Sequence, residues 1–278
     1  MRTVQSSLAI EGNTLSLDQV TALLDGKRVI AAKKDIREML NANDVYEQHD
    51  KFDPFSKRDL LSAHKIMMRG LLKTAGQWRR GGVGIVKGNA VSHVAPPADR
   101  VPYLIDDLFR FLTEETHPLP IRASVFHYEL EFIHPFEDGN GRLGRFWHTL
   151  MLTSYHEVFQ YIPVESLIRD QQQDYYAALE SSDRRGEATP FIETSLAIIA
   201  RAFTEFLDEL KPEPLTPEAR LRIAAAHFGK LHFSRKIYVQ HFKTISTATA
   251  SRDLRDGVNA GLLVKQGTGA QTTYLFIT

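Results

Sequence analysis

Residues 134–145 read His134-Pro135-Phe136-Glu137-Asp138-Gly139-Asn140-Gly141-Arg142-Leu143-Gly144-Arg145, a polar, glycine-rich turn between two apolar segments. Upstream, over 121–133, Val125, Phe126, Leu130 and Ile133 recur at helical spacing, which predicts a half-buried helix. Pro135 should end that helix, because the residue before a proline is disfavoured in the α region. Downstream, Leu143, Phe146, Trp147, Leu150 and Met151 predict a second helix beginning near Gly141. The stretch reads as helix, loop, helix.

The loop carries chemistry. His134 falls at a helix end, and an imidazole titrates near neutral pH and can take a proton from a hydroxyl. Gly139 and Gly141 permit backbone angles that a Cβ resists, so successive N–H groups can curl into an anion-binding nest. The N-terminus of the following helix adds partial positive charge there. Arg142 and Arg145, three apart on one helical face, supply planar forks for phosphate oxygens. Asp138 would repel a bare phosphate, but suits a Mg²⁺ ion that bridges phosphates. A plain connector accounts for any one of these residues; the set points to a nucleotide polyphosphate.

The run resembles the Fic family motif, His-Pro-Phe-x-Asp/Glu-Gly-Asn-Gly-Arg-x-x-Arg, at every specified position. The resemblance implies a mainly helical domain that moves AMP from ATP to a Ser, Thr or Tyr hydroxyl of a target protein. It makes His134 the general base and Asp138 the Mg²⁺ ligand. Gly139, Asn140 and Gly141 would cradle the α- and β-phosphates, with Arg142 on the β- and Arg145 on the γ-phosphate. Phe136 would anchor the loop in the core, and pyrophosphate would leave.

Further stretches extend the likeness. Around Lys87-Gly88-Asn89-Ala90, alternating apolar residues predict a short β-hairpin. It resembles the family's flap, which aligns the target segment as an added strand, and Val91 and His93 would be its residues nearest the nucleotide. Tyr175 and Tyr176 resemble a pair that helps wall the adenine pocket in relatives, and Asp183 falls where some relatives place an Asn beside the adenine. At the N-terminus, Ser7-Leu8-Ala9-Ile10-Glu11-Gly12 matches the family's inhibitory motif, Ser/Thr-x-x-x-Glu-Gly/Asn, on a helix expected at about 1–14. By that likeness Ser7, Glu11 and Gly12 form an autoinhibitory element. Glu11 would pair with Arg145 and bar productive seating of ATP, and in some relatives the same glutamate serves AMP removal.

The whole chain sets bounds. At 278 residues it can hold two domains, and its 34 basic and 34 acidic residues imply no global polyanion partner. It has no cysteine, which excludes disulfides and thiolate chemistry. No signal peptide and no run of about 18 apolar residues is visible, so a cytoplasmic protein without a membrane partner is expected.

Lys211-Pro212-Glu213-Pro214-Leu215-Thr216-Pro217 holds three prolines in seven residues and predicts a stiff linker over 211–218. The expected organisation is thus a Fic domain over 1–210, the linker, and a small α+β domain over 219–278. In that last part, helices are predicted at 221–228, 234–241 and 246–260, and strands at 261–265 and 272–277. The order resembles a winged helix-turn-helix. From 211 onward there are ten Lys+Arg and four Asp+Glu. Arg235, Lys236, Lys243, Arg252 and Arg255 could contact DNA phosphates, whereas Asp253 and Asp256 place acids in the would-be recognition helix. Docking of a protein is the competing reading, and a homodimer is implied by family habit alone. Two functions from different classes stand at this point: an autoinhibited AMP-transferring enzyme, with AMP removal or another nucleotidyl or phospho transfer as variants, and a DNA-binding regulator with an ATP-sensing domain.

Overall fold

The computed structural model describes residues 2–87, 90–210 and 215–277, with backbone only for the strand residues among 84–94. Residues 211–214 of the expected linker lie outside the described residues. The chain divides into two compact units, Met1–Glu209 and Leu210–Thr278.

The first unit is helical apart from one hairpin. It runs α1 (Arg2–Ile10), α2 (Leu17–Leu24), α3 (Lys33–Tyr46), α4 (Lys57–Met67), β1 (Gly84–Lys87) and β2 (Ala90–Val94). It continues with α5 (Val101–Glu114), α6 (Leu119–Ile133), α7 (Asn140–Tyr155), α8 (Val164–Asp170), α9 (Gln172–Arg185) and α10 (Thr189–Glu209). Strands β1 and β2 pair antiparallel, Lys87 against Ala90 and Gly84 against Val94, with a register shift between Ile85 and Val86.

The helices α6 and α7, joined by the 134–139 loop, form the centre. Phe126, Leu130, Ile133, Leu143, Phe146 and Trp147 pack with α4 and α5 in one core, and Trp147 donates to the Pro54 carbonyl at 3.1 Å. Tyr128 and Leu152 face a second core built with α8, α9 and α10. The half-buried helix expected at 121–133 is therefore buried on two sides, which explains why its apolar residues do not keep to one face. A third cluster binds α1 (Val4, Leu8) to α2 and α3 (Val20, Met39, Ala42), and so fixes α1 beside α7. The turn between α1 and α2 is specified locally: Gly12 takes φ +83°, and Ser16 and Gln19 form a reciprocal capping box.

The second unit runs α11 (Pro217–Phe228), α12 (Arg235–Phe242), α13 (Thr247–Asn259), β3 (Leu263–Gln266) and β4 (Thr273–Phe276). Strands β3 and β4 pair antiparallel, and Phe233 bridges to Tyr274. Phe228, Phe233, Tyr238, Leu254, Leu263 and Phe276 form its core. Asp253 does not lie on the surface of α13: it is buried and takes a bidentate pair from Arg220 at 2.6 and 2.8 Å. Arg252 and Arg255 remain exposed.

Candidate active site

The site is the junction of α6 and α7. Helix α6 ends at Ile133, and His134 caps it in a left-handed conformation, φ 48° and ψ 61°. The rule for residues before proline would favour an extended residue here, so this backbone is held by something else. The His134 N–H still donates to Leu130 O at 3.0 Å, and its Nδ1 lies 3.4 Å from Glu131 O.

The loop that follows is locked from within. Phe136 is buried, and Asn140 closes on its backbone, Oδ1 accepting from Phe136 N and Nδ2 donating to Phe136 O, both at 3.0 Å. The Asn140 side chain is thus spent on the loop, and only its backbone can contribute to a nest. Gly139 takes φ +87°, and a Cβ there would come within 2.6 Å of Met68 Sδ, so the position needs glycine twice over. His64, unassigned by the sequence reading, braces the loop from α4. Its ring stacks on Phe136 with centroids 3.7 Å apart. Gly76 N donates to its Nδ1 at 2.8 Å, which leaves Nε2 to donate to Asp138 O at 2.9 Å. Burial lowers its pKa to about 4, so His64 is a neutral strut.

Both arginines are buried, and neither stands alone. Arg145, 1% exposed, donates to Ser7 Oγ at 3.1 Å, Ser7 O at 3.0 Å and Glu11 Oε1 at 2.7 Å. Burial works against its charge, and Glu11, Tyr175 and Glu131 together more than restore it. Ser7 and Glu11 sit four apart in the chain, at the C-terminal end of α1 and just past it, so one element reaches the same guanidinium twice. The Glu11 carboxylate lies directly over Gly141: a Cβ on Gly141 would stand 2.5 Å from Glu11 Oε1. An acid is therefore seated at the first turn of α7, where the helix terminus favours negative charge.

Arg142 donates to Glu38 Oε1 and to Asp138 Oδ1, both at 2.8 Å. Glu38, on α3, also accepts from Asn13 Nδ2 at 3.0 Å, so the segment that follows Glu11 touches the partner of the second arginine. Glu38 escaped the sequence reading because nothing in 33–46 distinguishes it from a solvated helix acid. Glu131 of α6 is buried near Arg145, and burial pushes its pKa up to about 7.

Asp138 fits the metal assignment in kind. Its carboxylate is 56% exposed at the mouth of the loop, a hard oxygen donor of the type Mg²⁺ takes alongside substrate phosphates and water. Among the described residues no group of three or more His, Cys, Asp or Glu could hold a metal unaided. Of the residues expected at the adenine, Tyr175 is 3% exposed, with its hydroxyl 3.0 Å from His127 Nε2, whereas Tyr176 is 40% exposed. Asp183 accepts from Tyr128 Oη at 3.0 Å. The side chains of Val91 and His93 lie outside what is described.

Known proteins similar to this chain identify its family. Residues 54–152 match the model of the Fic/DOC family. A crystal structure of a Fic family protein from Desulfovibrio desulfuricans G20 is 38% identical, covers 99% of this chain and 85% of that one, and superposes with a TM-score of 0.73. Protein adenylyltransferase fic-1 of Caenorhabditis elegans is 31% identical over 206 residues, which are 68% of this chain and 37% of that protein. Protein adenylyltransferase Fic of Nematostella vectensis is 26% identical over 239 residues, or 82% of this chain and 53% of that one. The chain thus spans from about a third to half the length of these curated relatives. No helix among the described residues is long and apolar enough to cross a membrane.

Proposed function

The chain belongs to the Fic/DOC family, and from that premise we propose that it is a protein adenylyltransferase held off by its own N-terminal helix. The observation that carries the reading is the Glu11 carboxylate seated on Arg145 and over Gly141, where the motif would otherwise receive a triphosphate.

With Glu11 withdrawn, Arg145 and the N–H groups of 140 and 141 bind the phosphates of ATP, and Arg142 joins them by exchanging its pairs with Glu38 and Asp138 for a phosphate. A target segment pairs with the hairpin and brings its hydroxyl to His134. With Nδ1–H turned toward Glu131 O, Nε2 carries the lone pair and takes the hydroxyl proton. The hydroxyl oxygen attacks the α-phosphorus, the bond to the α–β bridging oxygen breaks, and pyrophosphate leaves in line. The imidazolium then returns its proton to solvent. Asp138 would hold Mg²⁺, which neutralises charge on the phosphates when bound. Tyr176 borders the adenine in this reading.

The test is intact-mass spectrometry of Glu11→Gly after incubation with ATP and Mg²⁺, with Glu11→Gly/His134→Ala as the control. A gain of AMP units only where His134 is present supports transfer by this base. A gain in both variants, or in neither, removes the assignment.

For the second unit we infer a winged helix-turn-helix that contacts duplex DNA through α13. Asp253 is withdrawn into the Arg220 pair and Arg255 is paired with the exposed Asp256 at 3.3 Å, so the exposed positive charge offered here is that of Arg252 on α13 with Arg235 and Lys236 on α12. Binding that weakens with salt and with Arg252→Ala supports this; no binding at low salt replaces it with a protein-docking module.

A further inference from the structure

Arg79 lies in the segment between α4 and β1, and no role falls to it from the motif. It is 2% exposed. Its guanidinium serves four backbone carbonyls. Nε donates to His134 O at 2.7 Å, Nη1 to Gly81 O at 2.8 Å, and Nη2 to Pro96 O at 2.6 Å and Ile133 O at 3.2 Å. Its own backbone N–H donates to Pro135 O at 2.9 Å.

These five acceptors fall into two groups. Ile133, His134 and Pro135 are three consecutive carbonyls at the open C-terminus of α6, where helix carbonyls lack partners and a cation is favoured. Gly81 and Pro96 stand on either side of the hairpin, before β1 and after β2. One rigid planar fork therefore ties both feet of the hairpin to the peptide planes on either side of His134.

We propose that Arg79 is the positioning residue that keeps His134 and the hairpin in register, an inference that rests on the transfer reaction above. The left-handed backbone of His134 is unfavourable for a residue with a Cβ, and doubly so before proline. The guanidinium bonds to Ile133 O and His134 O hold that conformation and so aim the imidazole. The bonds to Gly81 O and Pro96 O hold the hairpin at a set distance from it. A target strand added to the hairpin then presents its hydroxyl to Nε2 in one geometry, and the guanidinium never touches the reactants. The phosphate cradle is built by other side chains, so orientation and ATP binding separate.

Arg79→Lys tests this, because a single ammonium does not span four carbonyls, and Arg79→Ala is its companion. Amide hydrogen exchange compares each variant with wild type over peptides covering 81–97 and 131–137, with α10 as an internal reference. The proposal expects both segments to exchange at least about 10-fold faster together, with α10 unchanged. Acceleration of only one segment, or of neither, overturns it. In a Glu11→Gly background, kcat for AMP transfer should fall about 100-fold, in keeping with a misaligned base, with ATP affinity within about 3-fold. Equal loss of ATP binding would make Arg79 a general support of the fold and overturn the positioning role. Should Glu11→Gly itself transfer no AMP, the reading of the reaction fails, and the exchange measurement still decides on Arg79.

Discussion

Replacing Glu11 by glutamine removes one charge from the ion pair and leaves its shape nearly intact. In the native chain the Arg145 guanidinium is buried, with Glu11 Oε1 at 2.7 Å and the two Ser7 oxygens at 3.0 and 3.1 Å. Breaking a fully buried pair costs about 3–5 kcal/mol. The Glu11 side chain is 32% exposed and so partly screened, and glutamine still accepts a hydrogen bond. The expected loss is therefore about 1–3 kcal/mol in the absence of nucleotide. For a unit of this size that lowers the melting temperature by roughly 2–12 °C. If Glu11 occupies the place of a phosphate, the same free energy returns as ATP affinity, a gain of about 5- to 150-fold. The two effects have opposite signs, and a thermal melt with and without Mg·ATP reads both. A lower melting temperature with unchanged or weaker ATP binding would show a structural strut rather than a competitor. An unchanged melting temperature would show that the pair contributes nothing.

Gly141→Ala should also dislodge Glu11, since its Cβ would fall 2.5 Å from Glu11 Oε1 and 3.1 Å from Arg145 Nη1, but the methyl would fill the cradle. Calorimetry should find ATP binding lost, not gained, and tighter binding would refute the placement of the phosphates. His134→Ala should abolish transfer in a Glu11→Gly background and leave ATP affinity within about 3-fold, because base and cradle are separate groups; loss of binding would contradict that division. Two buried histidines of the first unit should resist protonation. Burial holds His64 and His148 each at about 4, so between pH 6.5 and 4 the unfolded chain binds protons that the folded one does not. Each costs about 3 kcal/mol over that window, and Glu131, pushed up to about 7, offsets roughly one of them. Histidine NMR should find the His64 and His148 rings neutral in the folded protein at pH 5.5, and protonation of either ring near pH 6.5 would refute the neutral assignments.

The helix-loop-helix at the centre was legible because its signals are local: apolar spacing on both sides, Pro135 as a stop, and glycines where the backbone must turn. The packing of α6 was not, since a helix buried on two sides loses the one-sided pattern on which such readings depend. Asp253 shows the same limit in the second unit. As a string it is an acid on a basic helix; folded, it is withdrawn from the surface by Arg220, 33 residues away.

The candidate site divides along the same line. His134, Asp138, Arg142 and Arg145 lie within one twelve-residue run, so their types and spacing pointed to phosphate chemistry before any fold was known. The residues that set their state come from far along the chain: Glu11 on Arg145, Glu38 on Arg142, His64 beneath Phe136 and Arg79 on the backbone of His134. Spacing along the chain records what a short segment can do by itself. Which carboxylate meets which arginine, and which guanidinium holds a strained peptide, depends on distances that exist only once α1, α3 and α4 have packed against α7. The sequence by itself determined which reactive groups the loop carries and in what order; the tertiary structure alone decided that its arginines are already occupied.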